Sequence, residues 1–292
     1  MDRAIVIRPQ FPSNRRVIAV SDIHGNLPAL EAVLNTPQAR SADRVVSAGD
    51  HTGFGPCPRQ VTERLRSLGA EILAGNHEER LPQADAPEFA GYNWSLLRWT
   101  REQLAGLPLA WPRTLRLDNM LFPHGTPENP NLLLYPEDLP ALLAGLPEGV
   151  AWYFSGHNHH PWDVSAGGRR GVNPGSLGML EDGHGGTAPF AIMEAEGERV
   201  SCQVCHAAYD PAETRRAYVA SGAAQAAPEM CRAAMYTMET GTYQVCLKFV
   251  RLARELGEPR GLTLADPEAF RLAAAAWDWG DGMSCAEYWR RA

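Results

Sequence analysis

The sequence predicts an α/β fold of layered sheets and helices followed by an all-helical C-terminal extension, and three observations lead there. Through the first half of the chain short β-branched runs alternate with amphipathic segments, the pattern of βα units. After residue 150 the strand candidates lie closer together and are joined by turns, which predicts a second, mixed or antiparallel sheet. Beyond Tyr209 strand patterning stops and Ala-rich segments of helical period take over. The 292 residues are divided on this reading into a main domain over 1–208 and a helical extension over 209–292, with room for a sizeable core.

The elements follow in order. A strand at 17–20 leads to a helix at 27–34, a strand at 44–48 to a helix at 59–68, and a third strand spans 71–74. Each of these strands runs straight into a polar motif. In open α/β sheets functional groups gather at the carboxyl ends of the strands, so the motifs are expected to meet in one crevice. A helix at 95–104, strands at 114–117 and 119–122, and a Pro-rich loop over 123–136 come next; a loop of that length suits a substrate wall. Strands at 152–155, 171–173 and 190–193 are assigned to the second sheet, and helices of the extension to 211–220, 243–256 and 267–277.

Composition narrows the function. With 45% hydrophobic and 21% charged residues the chain is an ordinary globular protein. A formal charge of -7 repels polyphosphate backbones, so an extended nucleic-acid partner is not expected and a phosphate site would need local cations such as metals. The N-terminal 16 residues hold no apolar run of signal-peptide length and no later run reaches a membrane span, so no membrane partner and a cytoplasmic location are expected. The six cysteines form no dense framework, so reduced thiols are expected. Cys202-Gln203-Val204-Cys205-His206 spells a haem-attachment motif, but on a strand residues three apart face opposite ways and the two thiols would not converge.

The chemistry is carried by an ordered set: Asp22-x-His24, Gly49-Asp50, Gly75-Asn76-His77-Glu78, His124-Gly125 and Gly156-His157-Asn158-His159. Carboxylate, imidazole and amide oxygen without thiolate suit borderline or hard divalent ions; manganese is the ion expected first, with iron, zinc, cobalt and nickel also fitting. On an extended strand end side chains i and i+2 point the same way, so Asp22 and His24 can share an ion, and the spacing recurs at His157 and His159. Two carboxylates against two divalent ions leave a net charge of about +2, enough to draw in a phosphate. A water between two ions about 3.5 to 4 Å apart loses its proton near neutral pH and can attack phosphorus in line.

These ordered blocks resemble those of the calcineurin-like metallophosphoesterase superfamily, over about residues 16 to 200, and within it the small bacterial and archaeal phosphoesterases. Gly49-Asp50-His51-Thr52-Gly53-Phe54-Gly55-Pro56, residues 98–104, His124-Gly125-Thr126-Pro127 and Asn173-Pro174-Gly175-Ser176 are similar to that branch. The resemblance implies a four-layer α/β/β/α sandwich with a dimetal site at the edge where the sheets meet. It implies that Asp22, His24, Asp50 and His159 bind one ion, and Asp50, Asn76, His124 and His157 the other, with Asp50 bridging. It makes His77 the proton donor to the leaving group; hydrogen bonding to phosphate is its alternative role. The implied activity is hydrolysis of a small, possibly nucleotide, phosphate ester. A non-catalytic metal-binding scaffold and a nuclease for short ends are the alternatives; the full ligand set speaks against the first and the charge against the second.

Phe54 stands where the Ser/Thr protein phosphatases of the superfamily carry an arginine, so protein phosphatase activity is not expected; Phe54 either stacks on a base or aryl group or faces the core. Asn158 replaces a common threonine and points away from the ions by strand alternation. His51 is read as structural, His160 as solvent-exposed or outside the ligand set, His184 as part of a flexible turn, and Arg98 and Arg101 as a solvated helix face that could reach phosphate. The apolar stripe Val245, Leu247, Phe249, Val250, Leu252 and Leu256, with Trp277, Trp279 and Trp289, must be covered, either by the main domain near the crevice or by a second copy.

Overall fold

The computed structural model describes residues 6–8, 15–196 and 199–292. Most of the N-terminal stretch read above for a leader lies outside the described residues. In chain order the main domain comprises β1 (Val6–Arg8), β2 (Arg15–Val20), α1 (Leu27–Leu34), α2 (Pro37–Arg40), β3 (Arg44–Ser47), α3 (Pro58–Ser67), β4 (Glu71–Ile72), α4 (Asn76–Arg80), α5 (Ser95–Gln103), β5 (Thr114–Leu117), β6 (Met120–Pro123), α6 (Leu139–Ala144), β7 (Trp152–Phe154), β8 (Trp162–Ala166), β9 (Arg169–Asn173), β10 (Thr187–Glu196) and β11 (Arg199–Ala208). The extension comprises α7 (Pro211–Ser221), α8 (Ala223–Ala226), α9 (Pro228–Thr240), α10 (Val245–Gly257), α11 (Pro267–Ala276) and α12 (Cys285–Arg290).

One sheet has the order β11-β10-β2-β3-β4 and the other β1-β5-β6-β7-β9-β8. Strand alternation explains how they stack. On β2, Val17 and Ala19 enter the core between the sheets with Val46, Leu115, Phe122 and Phe154, while Ile18 and Val20 face α1 and α3 with Leu30, Val33, Val61 and Leu65. On the far side Leu121 and Tyr153 pack against Leu139 and Leu143 of α6. The layers are therefore helix, sheet, sheet, helix, as the family resemblance implies.

Three expectations are corrected. Residues 190–193 belong to the first sheet, where β10 pairs antiparallel with β2 through Ala191 opposite Ala19 and Ile192 opposite Ile18. Phe190 and Ile192 pack on the helix side, Ala191 and Met193 between the sheets, so the strand is buried on both faces and needs a central place. β8 and α9 had no counterpart in the sequence reading. Met230, Cys231, Ala233, Ala234, Met235 and Met238 of α9 are all buried, and a helix covered nearly all round has little amphipathic period to detect. On α10 Leu247 is 65% exposed and does not belong to the buried face, which Val245 and Phe249 of the expected stripe form together with Ala253.

The extension packs against the main domain: Leu96, Trp99 and Met179 belong to its apolar cluster, and Phe54 packs on it. Hydrogen bonds add to this, from Thr214 Oγ1 to Asn26 Oδ1 at 2.9 Å, Tyr218 OH to the Phe54 carbonyl at 2.8 Å, and the Gly183 amide to the Gly241 carbonyl at 2.9 Å. Cys202 contacts the core between the sheets and Cys205 the core under the helices, on opposite faces of β11, and all six cysteines are free. Among the described residues no helix is long and apolar enough to cross a membrane.

Candidate metal centre

The predicted ligands sit where β2, β3, β4, β6 and β7 end, at their carboxyl edges. Sharp local turns bring them together. Asp22, His24, Asp50 and His157 have φ of 54°, 48°, 48° and 66°, a left-handed conformation that non-glycine residues adopt at a cost and that recurs at functional sites. The glycines before ligands answer a different need. A Cβ on Gly49, itself at φ 97°, would come 2.6 Å from His124 Nδ1, and one on Gly156 would overlap Ser21 Oγ and reach 2.6 Å from Asp22 Oδ2.

Among the described residues three groups each keep their potential ligand atoms within 4.8 Å of one another: Asp22, His24 and His159; His24, Asp50 and His77; and Asp50, His124 and His157. Asp50 thus belongs to two of them. His24 Nε2 and His159 Nε2 are 3.0 Å apart, and His159 Nε2 is 3.4 Å from Asp22 Oδ1. His124 Nε2 is 3.2 Å from Asp50 Oδ2 and 3.8 Å from Asp22 Oδ1, which joins the groups into one centre. The rings are aimed by their other nitrogens: His24 Nδ1 meets the Thr52 carbonyl at 3.2 Å and His124 Nδ1 the Ala48 carbonyl at 2.9 Å. With Nδ1 donating to those carbonyls, Nε2 presents a lone pair to the centre. Asn76 Oδ1 lies 3.1 Å from His124 Nε2. Turned over, the same amide would donate to His124 Nε2, His157 Nδ1 and Asp50 Oδ2 at 3.1, 2.9 and 3.1 Å. With Oδ1 facing inward, that oxygen joins His157 Nδ1 and Asp50 Oδ2 as acceptors around His124 Nε2, an arrangement that a proton or a cation satisfies.

In the metal-free protein the centre is charged in a definite pattern. Burial opposes a proton on His124, yet Asp50 and Asp22 outweigh it and raise the imidazole to about 9. Burial opposes one on His159 too, but Asp22 and Glu181, whose Oε1 is 3.7 Å from Nδ1, raise it to about 10. Against their own burial, Asp22 and Asp50 are held well below the usual carboxylate range by His124 and the neighbouring imidazoles. Burial keeps His24 and His77 low and brings His157 down to about 4.

Exposure differs across the centre. The side chains of Asp22, His24 and His124 are 0% exposed, whereas His77 keeps 17% and His159 14%. The backbone amide of His77 donates to Asp50 Oδ1 at 2.8 Å, and its Nε2 stands 4.0 Å from Asp50 Oδ2. The Phe54 ring meets His24 at 5.1 Å and His77 at 4.9 Å and packs on the apolar cluster of the extension, which is the core-facing reading. Glu78 favours a proton on His77 through its charge, and it also has a structural task. Its buried carboxylate accepts from the amides of Asp50, Thr52 and Gly75 at 2.8, 2.9 and 2.9 Å, tying two ligand loops together. A glutamate at the third position of a helix start reaching back to the first amide is the readable signal for this.

The remaining candidates fall away from the centre. His51 is fully buried, against the Trp111 ring at 4.8 Å. Asn158 donates outward to the Leu134 carbonyl at 3.0 Å, His160 Nδ1 meets the Glu181 carbonyl at 3.2 Å, and the His184 side chain is 74% exposed beside Asp182. Arg98 is no solvated arm: it clamps the carbonyls of Phe89 and Gly91. Arg101 lies 4.0 Å from Asp85. The stretch 173–176 acquires a task, since Ser176 Oγ bonds the Asp22 carbonyl at 2.7 Å and Asn173 Nδ2 bonds the carbonyls of Gly156 and Asn158 at 3.2 and 2.7 Å.

A family model described as the calcineurin-like phosphoesterase superfamily domain matches residues 16–198, more than half of the chain. The uncharacterized protein MJ0912 of Methanocaldococcus jannaschii is 28% identical over 195 residues, covering 57% of this chain and 78% of its own length. The phosphodiesterase YfcE of Escherichia coli K12 is 29% identical over 182 residues, covering 58% of this chain and 83% of its own. A metallophosphoesterase from Sphaerobacter thermophilus superposes with a TM-score of 0.64 at 27% identity, over 77% of this chain and 99% of that one. The hypothetical protein PH1004 from Pyrococcus horikoshii OT3 shares the fold, with a TM-score of 0.65 at 20% identity over 78% of this chain and 99% of its own.

Proposed function

The chain belongs to the calcineurin-like phosphoesterase superfamily, and from that premise we propose that it is a two-metal phosphoesterase, a monoesterase or diesterase acting on a small phosphorylated molecule. The observation that supports this most is the meeting of His24 Nε2 and His159 Nε2 at 3.0 Å beside Asp22, next to the acceptor cluster of Asp50, His124, His157 and Asn76. Lone pairs so close repel unless a proton or a cation lies between them, and nitrogen and oxygen donors without thiolate suit manganese, iron, zinc, cobalt or nickel.

On this reading Asp22, His24, Asp50 and His159 hold one ion and Asp50, Asn76, His124 and His157 the other. Two divalent ions bound there supply an activated water and the charge that grips phosphoryl oxygens. His77, partly accessible beside Asp50 and neutral in the free protein, gains a proton as a phosphate anion arrives and delivers it to the leaving oxygen. Phe54 gives the leaving-group side an apolar face next to His77. The acidic surface, at -7 overall, favours small substrates over extended nucleic acid.

The test is a purified-protein screen on aryl phosphate mono- and diesters after chelation and after return of manganese. Activity is expected to vanish with the metal and come back with it, and Asp50→Asn is expected to lose metal from both places. Full activity in chelator-treated, metal-free protein would overturn the reading.

A further inference from the structure

We propose that Arg80, with Asn131, forms a subsite for the third non-bridging oxygen of a phosphoryl group, so that the site selects phosphomonoesters or terminal phosphates over diesters. This deepens the phosphoesterase reading and rests on it.

Helix α4 begins at the candidate ligand Asn76, so Arg80 stands one turn further along the same face. Its Nη2 donates to Asn131 Oδ1 in the Pro-rich loop at 2.7 Å, and its guanidinium lies 5.6 Å from the centre of the Trp94 ring. Its Nη1 reaches the Asn76 amide, accepting oxygen inward of it only if that amide turns its NH2 toward the centre. These partners are neutral. The carboxylates of Asp50 and Glu79 act on this half-buried guanidinium through space, while its hydrogen bonds go to amides, which leaves the fork able to take an anionic oxygen.

Metal binding sharpens this. If Asn76 presents Oδ1 to an ion, its NH2 faces Arg80 Nη1, and two donors cannot bond. With Nη2 held by Asn131, Nη1 is then the donor that can turn to an oxygen at the rim of the same centre. Two ions can grip two non-bridging oxygens of a phosphoryl group. A diester has no more to offer, whereas a monoester carries a third, with an additional charge. Arginine matches that need as a planar, permanently charged fork. The clamp that Phe54 has displaced from the second sequence block is on this view supplied by α4.

The manganese-loaded wild type, Arg80→Ala, Arg80→Lys and Asn131→Ala are compared by bound metal, by calorimetric titration with inorganic phosphate, and by kcat/KM on nitrophenyl phosphate and bis-nitrophenyl phosphate. The wild type is expected to favour the monoester. Arg80→Ala is expected to keep its metal while phosphate affinity and monoester kcat/KM fall about ten- to a hundred-fold, the worth of a charged hydrogen-bond pair, with the diester changed less than about threefold. Arg80→Lys should recover part of the loss, and Asn131→Ala should show a smaller loss of the same selectivity. Equal losses on both esters, metal lost in parallel, unchanged phosphate affinity, or a wild-type preference for the diester each overturn the proposal. A wild type that hydrolyses neither ester sinks the phosphoesterase reading, while the phosphate titration still judges Arg80.

Discussion

Asn173→Ala tests how the ligand loop after β7 is held in place. The Asn173 side chain is fully buried and makes three hydrogen bonds: Nδ2 to the carbonyls of Gly156 and Asn158 at 3.2 and 2.7 Å, and Oδ1 from the Gly175 amide at 2.8 Å. Alanine removes all three, but the consequences differ. The Gly156 carbonyl keeps the Asn158 amide at 2.7 Å and stays satisfied. The Asn158 carbonyl and the Gly175 amide are left as buried groups without this partner, at about 1 to 3 kcal/mol each, so a loss of about 2 to 6 kcal/mol is expected. That is a large part of the 5 to 15 kcal/mol typical of a domain, about. Because Gly156 and Asn158 flank His157 and lie beside His159, the change should also weaken metal binding by about 10- to 100-fold, as removing an outer support of a ligand does. Urea titration followed by tryptophan fluorescence and metal competition against a chelating dye measure both. A stability change below about 0.5 kcal/mol together with an unchanged metal affinity would refute the idea that residues 173–176 brace the ligands.

Two further outcomes follow from the same geometry. His77→Ala should retain its metal while turnover falls by about 10² to 10⁴, with the loss shrinking for leaving groups of low pKa; an equal loss on a nitrophenyl ester would instead assign His77 to phosphate binding. In the metal-free protein His124 and His159, raised to about 9 and 10, contribute stability that is fully present below the unfolded value of 6.5 and is lost as pH rises through those folded values. The urea midpoint of the metal-free protein should therefore fall between pH 7 and 10, and loading with manganese at pH 7 in weak buffer should release about two protons. A flat midpoint with no proton release would show that these imidazoles carry no displaceable protons.

Much of the centre was legible because its signals are local. A strand is recognisable from four or five residues, the glycine before a ligand marks a close approach of backbone, and the family blocks keep Asp22, His24, Asp50, Asn76, His124, His157 and His159 in a fixed order; the structure gathers all seven. Helix α1 and strand β5 have the bounds that their periodicity predicts, 27–34 and 114–117. What tertiary structure decided lies in contacts between distant residues or in burial on every side. The pairing of β10 with β2 joins positions more than 170 residues apart, and no local pattern names a strand's sheet. Helix α9 hides because nearly all of its surface is covered, which erases the polar face that periodicity requires. The sequence marks Asn173 only as part of a motif and Arg80 only as one arginine among many. Their hydrogen bonds to Asn158 and Asn131 exist because separate loops are folded onto one edge of two stacked sheets.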